Sequence, residues 1–167
     1  MFSNLTAALT NEFQVVYSAN RSNFKFPEFI SKLLSYDGPT FLLIKTENKD
    51  GTSNIFGGFK MLQWIVDPEN YQGDMDTYVF SLYPKFCNFA YAESETSLPF
   101  FNYLNISPDG RKNGVGFGGN LNMNTFRIWL DKDTFTKSYT ISEDITFENG
   151  YLVDPGHETL NVNFFGI

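Results

Sequence analysis

A chain of 167 residues, 42% hydrophobic and 18% aromatic, is long enough to bury one sizeable core and too short for two. A charged fraction of 19% and a net charge of −7 exclude a disordered polyelectrolyte. They also argue against a nucleic-acid backbone or an anionic membrane surface as partner, because both select clustered Lys and Arg.

Residues 3 to 11 read as a short helical lead-in, with Ser3 as N-cap and Leu5, Ala8 and Leu9 on one face. Glu12 to Ser18 alternates and is predicted as the first strand, with Phe13, Val15 and Tyr17 on one side. A polar loop, Ala19 to Asn23, follows. Pro27 then opens the clearest helix, where its missing N–H costs nothing. Phe26, Phe29, Ile30, Leu33 and Leu34 share one helical face, and Gly38 is the expected C-cap before Pro39. Thr40 to Lys45 is an apolar run expected to be a strand buried on both faces. Asp50-Gly51 marks the turn into a partner strand, Asn54 to Phe59. Gly57-Gly58 inside that strand signals a backbone pressed against something large, and with nineteen phenylalanines in the chain an aromatic ring is the expected neighbour.

Residues 67 to 77 hold two polar turns. Strands are expected at Tyr78 to Tyr83, Phe86 to Tyr91 and Phe100 to Ile106. Pro108-Asp109-Gly110 is a turn, and Gly114 to Asn120 reads as a glycine-rich loop. Leu121 to Leu130 alternates, with Phe126, Ile128 and Leu130 on one side and Arg127 and Trp129 on the other. The last strand places Leu160, Val162 and Phe164 inward. Turns at this density, one clear helix and no internal repeat predict a mainly β fold, a two-sheet antiparallel β-sandwich with one or two short helices, formed by residues 1–167 as a single domain.

Chemistry-bearing residues are few. The one cysteine, Cys87, rules out an intrachain disulfide and fits a reducing compartment. The chain opens without a basic region and apolar run of the kind that directs secretion, and no window approaches the roughly 20 apolar residues of a membrane span. A cytoplasmic location without membrane insertion is therefore expected. Cys87 with His157 and Asp154 is a conceivable nucleophile, base and orienting acid, but Cys87 lies between Phe86 and Phe89, where an inert buried thiol is the default. The Gly114–Asn120 run lacks the Gly-Lys-Ser/Thr of a phosphate loop and leads into a strand, not a helix. Asp74 and Asp76, like Asp131 and Asp133, lack calcium-loop spacing and read as solvated loops. No cofactor or metal is expected.

Several short motifs occur in order: Val15-Val16-Tyr17-Ser18, Gly38-Pro39-Thr40, Phe56-Gly57-Gly58-Phe59, Phe80-Ser81-Leu82, Gly116-Phe117-Gly118-Gly119, Phe126 to Asp131, and Phe165-Gly166. Together they resemble the TLDc domain, the module of the oxidation resistance proteins, from about Phe13 to Ile167. Two features depart from the family pattern: Asn20-Arg21-Ser22-Asn23-Phe24 stands where Arg-Asp-Gly is frequent, and Phe165 where tryptophan is common. The resemblance implies a two-sheet β-sandwich with a few short helices and no established catalytic residues. It also implies roles in oxidative-stress resistance and in binding the vacuolar proton-pumping ATPase to modulate its assembly. The leading expectation is thus a non-enzymatic protein-binding module that uses the loops at 67–77 and 107–120, with Asp74, Asp76, Arg111, Lys112 and Phe117 as candidate contacts. The alternatives are a structural subunit of a large cytoplasmic or cytoskeletal assembly, and a redox protein acting through Cys87.

Overall fold

A computed structural model describes residues 13–107, 112–120, 124–133, 137–156 and 162–167, with residues 162–165 described by backbone alone. The expected helix at 3–11, the turn at 108–110, Arg111, His157 and the inward set of the last strand lie outside what is described. In chain order the elements are β1 (Ser18–Asn20), α1 (Phe26–Ser35), β2 (Thr40–Glu47), β3 (Ser53–Lys60), β4 (Tyr78–Tyr83), β5 (Cys87–Phe89), β6 (Asn102–Asn105), β7 (Gly114–Phe117), β8 (Ile128–Asp131), β9 (Tyr139–Thr140) and β10 (Val162–Gly166). All strand pairs are antiparallel. One sheet has the order β1-β10-β2-β3-β4-β5 and the other β6-β7-β8-β9.

The β2–β3 hairpin sits at the middle of the larger sheet, paired from Thr40↔Lys60 to Glu47↔Ser53. Gly51 takes a left-handed φ of +84° at its tip. Leu42 and Ile44 point into the core, while Phe41 and Leu43 on the opposite face are only half-buried, so β2 is not sealed on both sides. Phe56 also faces inward, and Gly58 next along that face abuts a ring as expected. A Cβ there would lie 2.5–2.7 Å from the Phe117 ring of β7. The two sheets therefore meet across a glycine. Leu104, Val115, Phe117, Ile128 and Leu130 of one sheet share a core with Leu42, Ile44, Phe56 and Val79 of the other. Trp64 closes the core edge-on to Phe117, at 5.5 Å and 78°, and its Nε1 donates to Thr40 Oγ1 at 2.9 Å.

Helix α1 starts with Pro27 in its first turn and buries Phe29, Ile30 and Leu33. It ends at Ser35 with Tyr36 already extended, so Gly38 is not its cap. Instead the Tyr36 ring lies against Gly38. The expected first strand also differs. Residues 13–17 are not a strand, Phe13 and Val15 are each 70% exposed, and pairing begins where Val16 N–H and Tyr17 N–H donate to Ile167 O. The alternating pattern there was real only at Tyr17, which is buried.

The glycine-rich run also differs from the expected loop. Gly114 to Phe117 is a strand, held between β6 and β8, and every residue from 114 to 119 is buried. Glycine has little strand preference of its own. Here it is selected by its neighbours, because the Phe126 ring lies on Gly116 and the Trp129 ring on Gly114. Phe126 consequently packs with Trp129 and Tyr103, away from Ile128 and Leu130. It precedes β8, so the period of two does not reach it.

Arg127 sits at this junction with 0% exposure. Its guanidinium donates to Ser142 O (2.5 Å), Glu148 O (3.3 Å) and Gly150 O, and stacks 5.2 Å from the Phe89 ring. Asp144 Oδ2 is 3.9 Å away, too far for a hydrogen bond. Burial pulls the Arg127 pKa down, opposed by Asp144 and Glu143, and pushes the Asp144 pKa up, opposed by backbone donors and by Arg127. For both groups, burial outweighs the pair. The guanidinium serves the fold by bridging three carbonyls of the 142–150 loop, one of which, Ser142 O, also accepts from Gly150 N–H at 2.8 Å. Arg127→Lys, which keeps the charge but cannot span three acceptors, is expected to lower stability by about 2–4 kcal/mol in urea unfolding. A loss under about 0.5 kcal/mol would show that the loop is held by other contacts.

Candidate functional site

The smaller sheet presents its outer face as a row across four strands, Tyr103, Gly116, Trp129 and Tyr139, in direct register. Large rings flank the missing side chain of Gly116, and Phe126 fills that gap, stacked on Trp129 at 4.5 Å and 23°. Tyr71 leans on the same cluster from the 67–77 loop, 5.8 Å from Phe126.

Lys112 lies over this floor. Its Nζ is 5.0 Å from the Tyr139 ring and 5.9 Å from Trp129, and it donates to Asn124 O at 3.0 Å and Tyr139 Oη at 3.3 Å. The ammonium is thus fixed by two acceptors and two aromatic faces. With Asn113, Trp129, Asp131, Lys132 and Lys137 it lines an open depression of about 380 Å³. Asp131 forms the acidic part of the wall and is already engaged. Its Oδ2 accepts from Trp129 Nε1 at 3.2 Å and its Oδ1 from Asp133 N–H at 3.0 Å. It is buried, where a solvated loop had been expected. Lys132 and Lys137 stand in solvent, Lys137 paired with Asp133 at 3.1 Å.

The other candidate contacts are dispersed. Asp74 and Asp76 lie in the turn before β4, where Asp74 Oδ1 accepts from Asp76 N–H at 3.1 Å. That turn adjoins the Asn102 end of β6 through the Gln72–Asn102 bridge, whereas Asn105 Nδ2 donates to Lys112 O at the other end of the strand. The acids and Lys112 do not form one patch. Phe117 is corrected outright: at 1% exposure it is core, packed between the sheets, and offers no contact to a partner. Cys87 is half-buried on β5, with Asn88 exposed after it. Among the described residues, no three His, Cys, Asp or Glu side chains group as metal ligands, and no helix is long and apolar enough to cross a membrane.

The chain-order reading missed Lys60, which is 1% exposed at the end of β3 with its Nζ 5.5 Å from the Trp64 ring. Burial lowers its pKa from 10.5 to about 8, against the pull of Asp74. Between pH 8 and 10.5 the unfolded chain holds more protons at this site than the folded one, so stability rises with pH there. Burial also raises the Tyr78 pKa above its usual 10, which reverses the slope at higher pH. Unfolding between pH 8 and 10 is therefore expected to show a gain on the order of 1–3 kcal/mol from Lys60. Lys60→Met should remove that gain; an unchanged slope in the variant would contradict the assignment.

Comparison with known proteins gives two findings. The family model of the TLDc domain matches residues 1–165. MTOR-associated protein MEAK7 of Gallus gallus and of Mus musculus are each 28% identical over 131 residues, covering 78% of this chain and 26% of theirs. The chain spans about a quarter of the length of these curated relatives.

Proposed function

Because the chain belongs to the TLDc domain family, we propose that it is a non-enzymatic protein-binding module, a rigid sandwich that docks onto a larger protein assembly. The observation that carries this reading is the Lys112 platform. In a chain of net charge −7, three of twelve basic residues line one depression, and the central one is fixed over an aromatic floor. One pre-ordered cation, held over rings that are themselves buried or half-buried, with two exposed lysines beside it, suits recognition of acidic groups on a protein surface.

Two partner classes have support. The relatives are described as MTOR-associated, so an assembly containing MTOR is one. The resemblance to oxidation resistance proteins supports the other, the vacuolar proton-pumping ATPase, with a role in oxidative-stress resistance. Affinity purification of the chain from its own cells, with mass spectrometry, tests the reading. Recovery of one large assembly is expected, unchanged in a Cys87→Ser variant. A chain that elutes alone from gentle extracts would contradict it, and a protective activity lost on Cys87→Ser would favour redox chemistry instead.

A further inference from the structure

A second depression adjoins that of Lys112. It has a volume of about 440 Å³, shares Asn113 and Lys132 as a common wall and is lined by Phe26, Pro27, Ile30 and Ser31 of α1 and by Ile106. The two halves differ in chemistry. One carries Lys112 and Lys137 with the shared Lys132; beyond the shared wall and Ser31, the other is lined by apolar side chains, including Ile106 at 46% exposure. We propose that these two adjoining depressions together bind an acidic peptide segment of a protein partner, with carboxylates on the lysine half and an apolar residue on the α1 half. The proposal rests on the reading of the chain as a binding module and adds the chemistry of what is bound.

Three observations favour that occupant. First, the charge is locally inverted: three lysines face Asp131 and Asp133 here, in a chain with 19 acidic and 12 basic residues. Asp131 spends both carboxylate oxygens on internal donors. Asp133 holds Lys137 only through an exposed pair, which is worth little and is readily exchanged for an incoming carboxylate. Second, the Oδ1 of Asn113, in the shared wall, is a buried acceptor with no hydrogen-bond partner. A peptide N–H is the complementary donor, and supplying it would satisfy this oxygen. Third, the apolar half sits beside the first turn of α1, where Pro27 fixes the backbone and Ile30 is anchored in the core. A rigid wall loses little entropy on binding.

A random-peptide library displayed on phage and panned on the whole chain supplies the probe. The enriched sequences are expected to place Asp or Glu next to a large apolar residue. Binding, followed by fluorescence anisotropy of the synthetic peptide, is expected to weaken about tenfold or more in Lys132→Glu/Lys137→Glu and in Ile106→Asp, and to weaken with added salt. All three positions are exposed, and thermal unfolding checks that the variants fold. A peptide with Lys in place of its acids should regain binding to Lys132→Glu/Lys137→Glu, which misfolding cannot produce. The proposal is overturned if no acidic class is enriched, or if the enriched peptide binds wild type and variants alike. Failure here is separable from failure of the module reading. If the double variant still recovers the cellular assembly, the module stands and the peptide site does not; if wild type recovers nothing, the module reading itself fails.

Discussion

The fold depends on one contact, the Phe117 ring seated where Gly58 has no side chain. Sheets in a sandwich usually pack with interleaved side chains about 10 Å apart. Here β3 presents bare backbone at its centre, and β7 answers with a ring that also takes Trp64 against its edge. The contact fixes β7 relative to the larger sheet. That in turn places Gly114 and Gly116 on the outer face, where Trp129 and Phe126 settle on them. The aromatic floor beneath Lys112 is thus the far side of the same glycine-and-ring arrangement. A methyl group at residue 58 would press directly on the ring, and overpacking of this kind typically costs about 1–3 kcal/mol.

Buried and exposed cations play opposite parts in this molecule. Arg127 and Lys60 are inside, where burial disfavours their charge, and their use is internal: one ties down a loop, the other packs on Trp64. Lys132 and Lys137 are outside and at most loosely paired, so they keep nearly all of their charge for an incoming group. Lys112 is intermediate. It is ordered by neutral acceptors and rings and has no ion pair of its own among the described residues. Being fixed in place by groups other than a carboxylate separates it from Lys137, which is held by Asp133.

Much of the fold was legible because local and global signals agreed. The β2–β3 hairpin, the helix opening at Pro27 and the ring against Gly57-Gly58 all follow from short-range pattern. The glycine-rich β7 did not, since its strand character comes wholly from flanking strands and rings distant in sequence. Phe117 was misplaced for the same reason: one Phe among glycines looks exposed until a partner glycine at residue 58 is known to face it. The site was half legible. Lys112 stood out as a basic residue in a long connection. Its union with Trp129, Lys132, Lys137 and Tyr139 depends on register across β7, β8 and β9, which no local pattern encodes. Arg127 and Trp129 were correctly set apart from Ile128 and Leu130, though nothing in the alternation showed that this second face is also buried.

A double-mutant cycle between Gly58→Ala and Phe117→Leu, read by urea unfolding, tests most directly whether the glycine–ring contact holds the sandwich together. Gly58→Ala alone should cost about 1–3 kcal/mol. In the Phe117→Leu background, where the smaller side chain leaves room for the methyl, much of that cost should disappear. A coupling of about 1 kcal/mol or more is therefore predicted. Costs that add to within about 0.5 kcal/mol would mean that the two residues do not meet across the sheets, and the account of how the Lys112 depression is positioned would fail with them.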